Sequence, residues 1–444
     1  MGSYLERRGR LICFLIKKTS PGSPQTGCRR VLILGGGFGG ITTVKHLTRG
    51  QKPRDNLEIT IVSDENFFLF SPLLHEVALG RIEPSHIAYP IRKLPNRDRF
   101  TFVLAGVEEI NLDDRQVKTS SGTLDFDYLV LALGCVADTS VLSSPASEMR
   151  SIFTLRTLGD AIRLRSHLID IFKQANQLKS PDQQSKLLTF VISGSGYIGV
   201  QLAAELRDYI FENLARFYPA IDRDNIRIIL VEEDQHLLAR SHPKFGPYAL
   251  KHLQRRGIEI RLKSRITSWG ADYVEINNSE TVSAGTVIGV TGVAASSQIT
   301  HLGIDTDSTG RVLVDEYLEV PAFPNVFALG DCAHFREPKT GQPIPHRAHT
   351  AVRQARIAAY NILADIRSQN KKPYQYSNPF DAVTLGNSRA VFRFDGLRFY
   401  GILARLTCLV GYSILVPGTH NRIRILIDWL LSVIFKRRHQ TPEN

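Results

Sequence analysis

Short apolar runs that end at glycine recur along the chain, and they predict the buried strands of a parallel sheet. The first run, residues 31–34, leads into glycines and then into a helix predicted to extend to about residue 49. A second apolar run, residues 58–62, follows that helix. Residues 30–63 therefore predict a strand–helix–strand unit.

The same pattern returns after a polar, helical stretch at about residues 157–185. Residues 188–192 predict a strand, a glycine-rich turn leads into a helix to about residue 214, and residues 226–231 predict the next strand. Alternation of strands with helices is typical of α/β proteins, so two similar α/β units are expected. Later runs predict a helix from about residue 245 and strands near residues 259–262, 286–290 and 325–329.

Both glycine-rich turns have the spacing G-x-G-x-x-G. In the first, Gly35 would allow a tight turn, Gly37 would let a pyrophosphate approach the backbone, and Gly40 would let helix pack on strand. The free N–H groups and the dipole of the following helix attract phosphate. This turn is therefore a predicted dinucleotide site, formed by Gly35, Gly36, Gly37, Phe38, Gly39 and Gly40.

The second turn repeats the spacing and predicts a second dinucleotide site. The strand after it ends at Glu232, with Glu233 as the neighbouring alternative. A carboxylate at this place accepts both ribose hydroxyls and repels a 2′-phosphate, which favours NADH over NADPH. The candidate residues of the turn itself are Gly194, Gly196, Tyr197, Ile198 and Gly199.

Other predicted strand ends carry further candidates. In the first unit the second strand ends at Ser63 and Asp64, and either could bind the adenosine ribose. A late strand ends at Gly330 and Asp331, and this aspartate could bond a ribityl or ribose hydroxyl, or simply cap a helix. The remaining candidates of this kind are Gly134, Gly292 and Ala333.

Residues 66–76, with the sequence NFFLFSPLLHE, are predicted to form an aromatic and apolar loop. Such side chains either join the core or line a flavin or quinone pocket, and the sequence leaves both open. Residues 101–134 then alternate short strands with turns.

The carboxyl-terminal region combines apolar and basic residues. A helix of about 15 residues spans only about 22 Å, so a tail helix would lie in a membrane interface with its basic flanks on anionic lipid. Residues 399–416 are apolar but interrupted by Arg405, Gly411 and the following Pro417, and they are expected to complete the same surface. Packing on the core or in a homodimer interface is the alternative. The apolar stripe is Ile423, Leu426, Ile427, Leu430, Leu431 and Ile434, flanked by Arg422, Arg424, Lys436, Arg437 and Arg438.

The composition and net charge of the chain indicate which kinds of molecule it binds. Of 444 residues 43% are hydrophobic and 22% are charged, as in folded proteins of two or three domains. The net charge of +12 favours anionic partners, and because basic residues concentrate at the two ends without a nucleic-acid-binding module, a membrane surface is favoured over nucleic acid. The five cysteines never form C-x-x-C, so neither a disulfide framework nor a metal site is expected. Residues 1–29 are expected to be a basic extension and linker.

The paired fingerprints, followed by a strand that ends in Gly330-Asp331, resemble the two-dinucleotide-binding-domain flavoproteins. Within that group GGGFGG, FFLFSPLLHEVALG, VFALGDCA and the tail IRILIDWLLSVIF resemble the type II NADH:quinone oxidoreductases. The resemblance implies an FAD domain at 30–150 and 295–385, an inserted NADH domain at 151–294 and a membrane-surface region at 386–444. It also implies that electrons pass from NADH through FAD to a membrane quinone without proton pumping, in a peripheral protein of an electron-transport membrane.

Two positions depart from that family's pattern. The family usually has a glutamate, implicated near nicotinamide and quinone, where this chain has Gln201, which cannot ionise. The family's Ala-Gln pair at the quinone pocket aligns with Ala348-His349, and His349 can donate, accept and carry a proton. The resemblance thus implies catalytic positions for Gln201 and His349.

Three alternatives remain open at this point. A disulfide- or sulfide-oxidising flavoenzyme would need a suitable cysteine near the flavin, and only Cys135 and Cys332 are candidates. A ferredoxin-type reductase would not need the apolar tail. A slow NADH-binding redox sensor is suggested by Gln201.

Overall fold

The computed structural model describes residues 27–137, 152–270, 272–290, 292–300 and 302–434. Most of the predicted extension at 1–29, and the basic residues 436–438 of the tail, lie outside the described residues.

The helices are α1 (Phe38–Gly50), α2 (Leu74–Ala78), α3 (Pro84–Ile87), α4 (Leu158–Gln177), α5 (Pro181–Leu187), α6 (Tyr197–Asp208), α7 (Phe245–Arg255), α8 (Ser297–Thr300), α9 (Ala348–Ile366), α10 (Gly401–Leu415) and α11 (Thr419–Ile434). The strands are β1 (Arg29–Leu34), β2 (Leu57–Ser63), β3 (Phe67–Leu69), β4 (Ala88–Pro90), β5 (Thr101–Leu104), β6 (Val107–Asn111), β7 (Gln116–Thr119), β8 (Gly122–Asp125), β9 (Tyr128–Leu131), β10 (Cys135–Ala137), β11 (Ile152–Thr154), β12 (Thr189–Ser193), β13 (Arg227–Val231), β14 (Glu259–Arg261), β15 (Ile266–Trp269), β16 (Tyr273–Ile276), β17 (Glu280–Ser283), β18 (Thr286–Gly289), β19 (Val293–Ala295), β20 (Val312–Leu313), β21 (Glu319–Val320), β22 (Phe323–Ala328), β23 (Ala333–His334), β24 (Phe380–Thr384), β25 (Ala390–Phe394) and β26 (Leu397–Tyr400).

Six strands form the sheet of the first α/β unit, in the order β21–β22–β9–β1–β2–β5. All neighbours are parallel except β21 and β22. Alternate residues of β1 face two cores, because Val31 and Ile33 point to one and Leu32 and Leu34 to the other. Burial on both faces explains why this strand is an uninterrupted apolar run.

Five parallel strands form the second unit, in the order β11–β18–β12–β13–β14. The chain enters this unit after β10 and leaves it through β19, and these two strands pair antiparallel with each other. The predicted fold class, two Rossmann-like units with the second inserted into the first, is confirmed.

The prediction of a loop at residues 66–76 is wrong. Strand β3 pairs with β4, and the chain then forms a 3₁₀ turn and helix α2. Phe70 and Leu73 are at most 2% exposed, so the aromatic stretch gains its structure by entering the core.

The carboxyl-terminal region begins with the three-stranded sheet β24–β25–β26, followed by α10 and α11. The predicted domain boundary at residue 385 falls in the turn between β24 and β25, so a boundary before Phe380 keeps this sheet whole. Arg405 and Gly411 interrupt the apolar run in the sequence but not the helix, since α10 passes both without a break. Among the described residues, no helix is both long and apolar enough to cross a membrane.

Candidate functional site

The first glycine of each fingerprint makes the turn that follows a central strand. Gly35 has a φ of +111° after β1, and Gly194 has a φ of +100° after β12. Glycine adopts this left-handed conformation at no steric cost, whereas other residues rarely do. The two turns therefore have the same backbone requirement.

The third glycine of each fingerprint packs a helix onto the turn. A Cβ on Gly40 would overlap the carbonyl oxygen of Gly35, and a Cβ on Gly199 would overlap that of Gly194. Both obstacles are backbone atoms that cannot rotate away. Helices α1 and α6 therefore approach their strands as closely as they do only because these positions carry no side chain.

The middle glycine of each fingerprint faces open space. Gly37 and Gly196 are the N-cap residues of α1 and α6, neither helix has a side-chain cap, and a Cβ at either position would meet nothing within 4 Å. Uncapped N–H groups at a helix start donate hydrogen bonds to phosphate. Each turn is therefore an open site, called a cradle below, whose free N–H groups suit the pyrophosphate of a dinucleotide.

Glu232 lies directly against the second cradle. Its Oε2 accepts the backbone N–H of Ser195 at 2.6 Å, and its Oε1 accepts that of Asp234 at 2.9 Å. The hydroxyl of Ser195 is buried and has no hydrogen-bond partner among the described residues. The alternative, Glu233, is exposed and pairs with Arg265.

At the first cradle the structure distinguishes the two ribose candidates. Ser63 is buried, and a Cβ on Gly36 would lie 2.6 Å from its hydroxyl oxygen, so this serine touches the glycine-rich turn. Asp64 is exposed. Ser63 is therefore the better placed of the two.

Asp331 lies where the first sheet meets the crossover between the units. Its carboxylate accepts a hydrogen bond from the Cys135 thiol at 3.2 Å and lies 3.6 Å from His346 Nδ1 and 3.9 Å from Arg156. Burial raises the pKa of Asp331, but His346, Cys135 and Arg156 together lower it below its usual value. An ionised acceptor of this kind suits a hydroxyl-bearing ligand, and no local spacing in the sequence pointed to Arg156 or His346.

The remaining candidates at strand ends lie along the same crossover. Gly134 and Gly292 have φ values of +72° and +61° and flank the paired strands β10 and β19. Ala333 is buried at the start of β23. Gly134 directly precedes Cys135, which contacts Asp331, whereas Gly292 lies at the other end of the strand pair.

Both candidate thiols are poor nucleophiles. Burial, together with Asp331, raises the pKa of Cys135, and burial raises that of Cys332 to about 11. Since the thiolate is the reactive form, neither cysteine supports sulfide or disulfide chemistry.

An aromatic cluster joins the first cradle to helix α10. The ring of Phe38 lies 4.8 Å from that of Phe68 and 5.8 Å from that of Phe70, and Phe70 lies 6.5 Å from Tyr412 of α10. The aromatic residues of this stretch therefore belong to the core. They also connect the first cradle to the apolar helices at the carboxyl terminus.

Gln201 belongs to a buried hydrogen-bond network. Its side-chain amide donates to the Thr384 hydroxyl at 3.0 Å, and that hydroxyl donates to Glu205 Oε1 at 2.9 Å. Glu205 Oε2 lies 3.5 Å from His75 Nε2. Burial raises the pKa of Glu205, but His75 and the nearby arginines lower it well below its usual value. Glu205 is one helical turn from Gln201, a spacing that could have indicated it.

Glu76 ties the carboxyl-terminal helices to the first unit. It is fully buried and accepts the indole N–H of Trp429 at 2.5 Å and a guanidinium N–H of Arg405 at 3.3 Å. Arg405 belongs to α10 and Trp429 to α11, so a single carboxylate on α2 contacts both helices, and Asp428 of α11 adds a second contact with His86.

His349 lies near the start of α9, with its ring 5.2 Å from Phe380. Burial, and then the charges of Arg347 and Arg353, lower its pKa to about 4. The imidazole is therefore neutral near pH 7, which disfavours the expectation that it carries a proton but leaves it able to donate or accept a hydrogen bond.

Tyr197 and Ile198 open helix α6. The Tyr197 hydroxyl donates to Asp381 at the start of the carboxyl-terminal sheet, and the guanidinium of Arg347 lies 4.8 Å from the ring centroid. Ile198 is 38% exposed. The Tyr197 side chain therefore holds the second unit against β24.

Helices α10 and α11 expose one apolar surface, called the apolar platform below. Each of its side chains is between 47% and 64% exposed, whereas Ile425 and Trp429 on the opposite face of α11 are buried. The members are Ile402, Leu403, Leu406, Val410, Ile414 and Leu415 of α10 and Ile423, Leu426, Ile427 and Leu430 of α11.

Residues 29–355 match the family model described as "Pyridine nucleotide-disulphide oxidoreductase". A "Probable NADH dehydrogenase" of Dictyostelium discoideum is 27% identical, with 92% of this chain and 90% of that protein covered. A "Type II NADH:quinone oxidoreductase Ndh" of Mycobacterium tuberculosis is 29% identical, with 93% of this chain and 89% of that protein covered.

Solved structures share the fold. The structure of NDH2 from Plasmodium falciparum in complex with NADH superposes with a TM-score of 0.82 at 18% identity, over 92% of this chain and 99% of that one. A sulfide:quinone oxidoreductase from Aquifex aeolicus gives a TM-score of 0.70 at 20% identity, over 93% and 96% of the two chains. At such identities the likeness concerns the fold.

Proposed function

The chain belongs to the pyridine nucleotide-disulphide oxidoreductase family, and we propose that it works within it as a type II NADH:quinone oxidoreductase. The observation that carries this proposal is the pair of open glycine cradles of matched geometry, one on each parallel sheet. Two cradles suit two dinucleotides, and the relatives named for NADH and quinone match almost the whole length of the chain.

The two cradles take different dinucleotides. The first, with Ser63 and Asp331, holds FAD, and the second, with Glu232, holds NADH. FAD held there would supply the redox chemistry, a two-electron transfer between NADH and a quinone. The chain's own part is to bind both dinucleotides by backbone N–H groups and to keep Asp331 ionised beside His346 and Arg156. The raised thiol pKa values disfavour the sulfide- and disulfide-oxidising alternatives.

Gln201 and His349 act on the quinone by hydrogen bonding. Gln201 cannot ionise, and His349 is neutral near pH 7, so neither brings a charge to the site. Each can orient a quinone oxygen. The amide of Gln201 is itself fixed by Thr384 and Glu205.

The test of this function is anaerobic stopped-flow absorbance of the FAD-loaded protein. We expect NADH to bleach the flavin fast, NADPH to do so slowly because Glu232 repels a 2′-phosphate, and a short-chain quinone to restore the absorbance fast. Bleaching without return on quinone would move the acceptor to a protein, as in a ferredoxin-type reductase. Absence of fast bleaching would favour the redox sensor.

The apolar platform is the proposed contact with the membrane. Its exposed side chains lie on the same two helices that Glu76 holds against the first unit, next to the aromatic cluster that reaches the first cradle. A lipid-soluble quinone must enter from the bilayer side. The protein is therefore peripheral, with α10 and α11 in the interface of one leaflet.

Replacing Ile402 on the platform with aspartate is expected to weaken binding to phospholipid vesicles roughly tenfold, because a buried aliphatic side chain contributes about 1.5–3 kcal/mol. The measurement is co-sedimentation with vesicles. The matched control is Ile162→Asp on α4, also an exposed isoleucine on a helix, which should bind as the wild type does. Equal loss in both variants would contradict the contact, and conversion of a dimer to a monomer by Ile402→Asp alone would assign the platform to a homodimer interface.

A further inference from the structure

A cavity of about 490 Å³ lies outside the two cradles, between α9 and the chain that follows it. Two arginines on α9 project to its wall, and none of the predicted site residues does. Its lining is Arg353, Arg356, Ile357, Pro373, Tyr374 and Gln375. A cavity with two guanidinium groups on its wall suits an anion.

Arg356 of the cavity wall lies on the helix that packs against α1, and α1 carries two further basic residues, Lys45 and Arg49. Lys45 of α1 has a lowered pKa because of burial and then the charges of Arg49, Arg356 and Arg422. Burial and then Arg356 likewise lower the pKa of His46. Lys45, Arg49, Arg356 and Arg422, called the basic cluster here, form no ion pair with a carboxylate within the described ranges. Mutual repulsion without compensation leaves a site ready for negative charge.

Tyr374 adds a second, independent sign of a ligand. It is only 2% exposed and lines the cavity, yet its hydroxyl has no hydrogen-bond partner in the part of the chain that is described. A buried hydroxyl without a partner costs free energy, so a polar ligand in the cavity would satisfy it. Arg353 lines the same cavity, so its wall carries both a cation and this hydroxyl donor.

The position of Arg422 indicates which kind of anion the cavity would bind. Arg422 lies in the first turn of α11, directly before Ile423 of the apolar platform, and its Nε donates to the Val416 carbonyl between α10 and α11. The basic cluster therefore borders the surface proposed to enter the lipid, at the place where charged headgroups lie.

We propose that the cavity and the basic cluster bind the phosphate headgroup of an anionic phospholipid. This inference rests on the proposed membrane contact and adds to it a defined site on α1, α9 and α11. Guanidinium groups bind phosphate through paired N–H donors, Lys45 adds a point charge, and Tyr374 adds a hydroxyl donor. Each basic residue at a membrane surface is worth about a fivefold change in affinity for anionic lipid.

The test uses the full-length, FAD-loaded protein and two kinds of vesicle, pure phosphatidylcholine and phosphatidylcholine mixed with phosphatidylglycerol. The variant Lys45→Gln/Arg356→Gln is expected to lose roughly 25-fold in affinity for the mixed vesicles and nothing for the neutral ones. The matched control is Lys186→Gln/Arg223→Gln, which removes an exposed lysine and an exposed arginine from the second unit and should behave as the wild type. Tyr374→Phe should weaken only binding to the mixed vesicles.

Each other outcome overturns the inference. An equal loss in the control variant would mean a diffuse charge effect, and an equal loss on neutral vesicles would mean a structural role. If inorganic phosphate releases the wild type from mixed vesicles more than chloride does at equal ionic strength, and fails to do so for the variant, the occupant is a soluble phosphate compound. A wild type that binds neither vesicle defeats the membrane contact itself, and one that binds both equally well defeats only the headgroup site.

Discussion

The variant Gly199→Ala is expected to lower kcat/KM for NADH about a hundredfold while the protein keeps its FAD. The added Cβ would overlap the carbonyl oxygen of Gly194, and a backbone oxygen at the end of a buried strand cannot move aside. Overpacking of this kind costs about 1–3 kcal/mol, and here the displaced atoms belong to the cradle itself. The measurements are the rate of flavin bleaching against NADH concentration and the flavin content of the purified variant.

Two further glycine variants test whether the effect of Gly199→Ala is specific to the NADH site. Gly40→Ala has the equivalent overlap with Gly35 in the first cradle and should lose FAD during purification. Gly411→Ala lies in the interior of α10, where a Cβ would meet nothing within 4 Å, and should leave both activities intact while stabilising the helix by about 1 kcal/mol. Normal NADH kinetics in Gly199→Ala would contradict the assignment of the second cradle.

The variant Arg405→Met is expected to destabilise the carboxyl-terminal helices by about 3 kcal/mol, because the fully buried carboxylate of Glu76 loses the nearer of its two guanidinium partners among the described residues and keeps only Arg81, 4.0 Å away. Trp429 reports on this event directly, since its indole N–H donates to the same carboxylate. The chain has two tryptophans, so a Trp269→Phe background isolates the signal. Urea unfolding followed by Trp429 fluorescence gives the measurement.

The companion variants separate charge from packing. Arg424→Met removes an exposed arginine of α11 and should change stability by less than about 0.5 kcal/mol. Adding Glu76→Gln to Arg405→Met removes the carboxylate charge that Arg405 balanced while keeping an oxygen for Trp429, and should restore part of the loss. A loss in Arg405→Met no larger than in Arg424→Met would show that the buried pair does not hold the helices.

Contacts between residues distant in sequence decide two features of the fold that local patterns did not show. Arg405 interrupts the apolar run of residues 399–416, and an arginine is costly on a buried face unless it has a partner. The fold supplies Glu76 from more than three hundred residues earlier in the chain, and the pair lets α10 continue. The stretch at 66–76 was expected to be a loop for a similar reason, since its partner strand β4 lies beyond a helix.

The sequence by itself determined the two dinucleotide cradles, the parallel strands that carry them and the apolar face of the tail helix. These are local properties: glycine spacing sets the turn, an uninterrupted apolar run marks a strand buried on both faces, and helical periodicity marks an exposed stripe. Only the tertiary structure decided which polar groups meet: Asp331 with Arg156 and His346, and Thr384 with both Gln201 and Glu205. Their charges and hydrogen bonds act between residues distant in sequence, so no spacing along the chain could contain them.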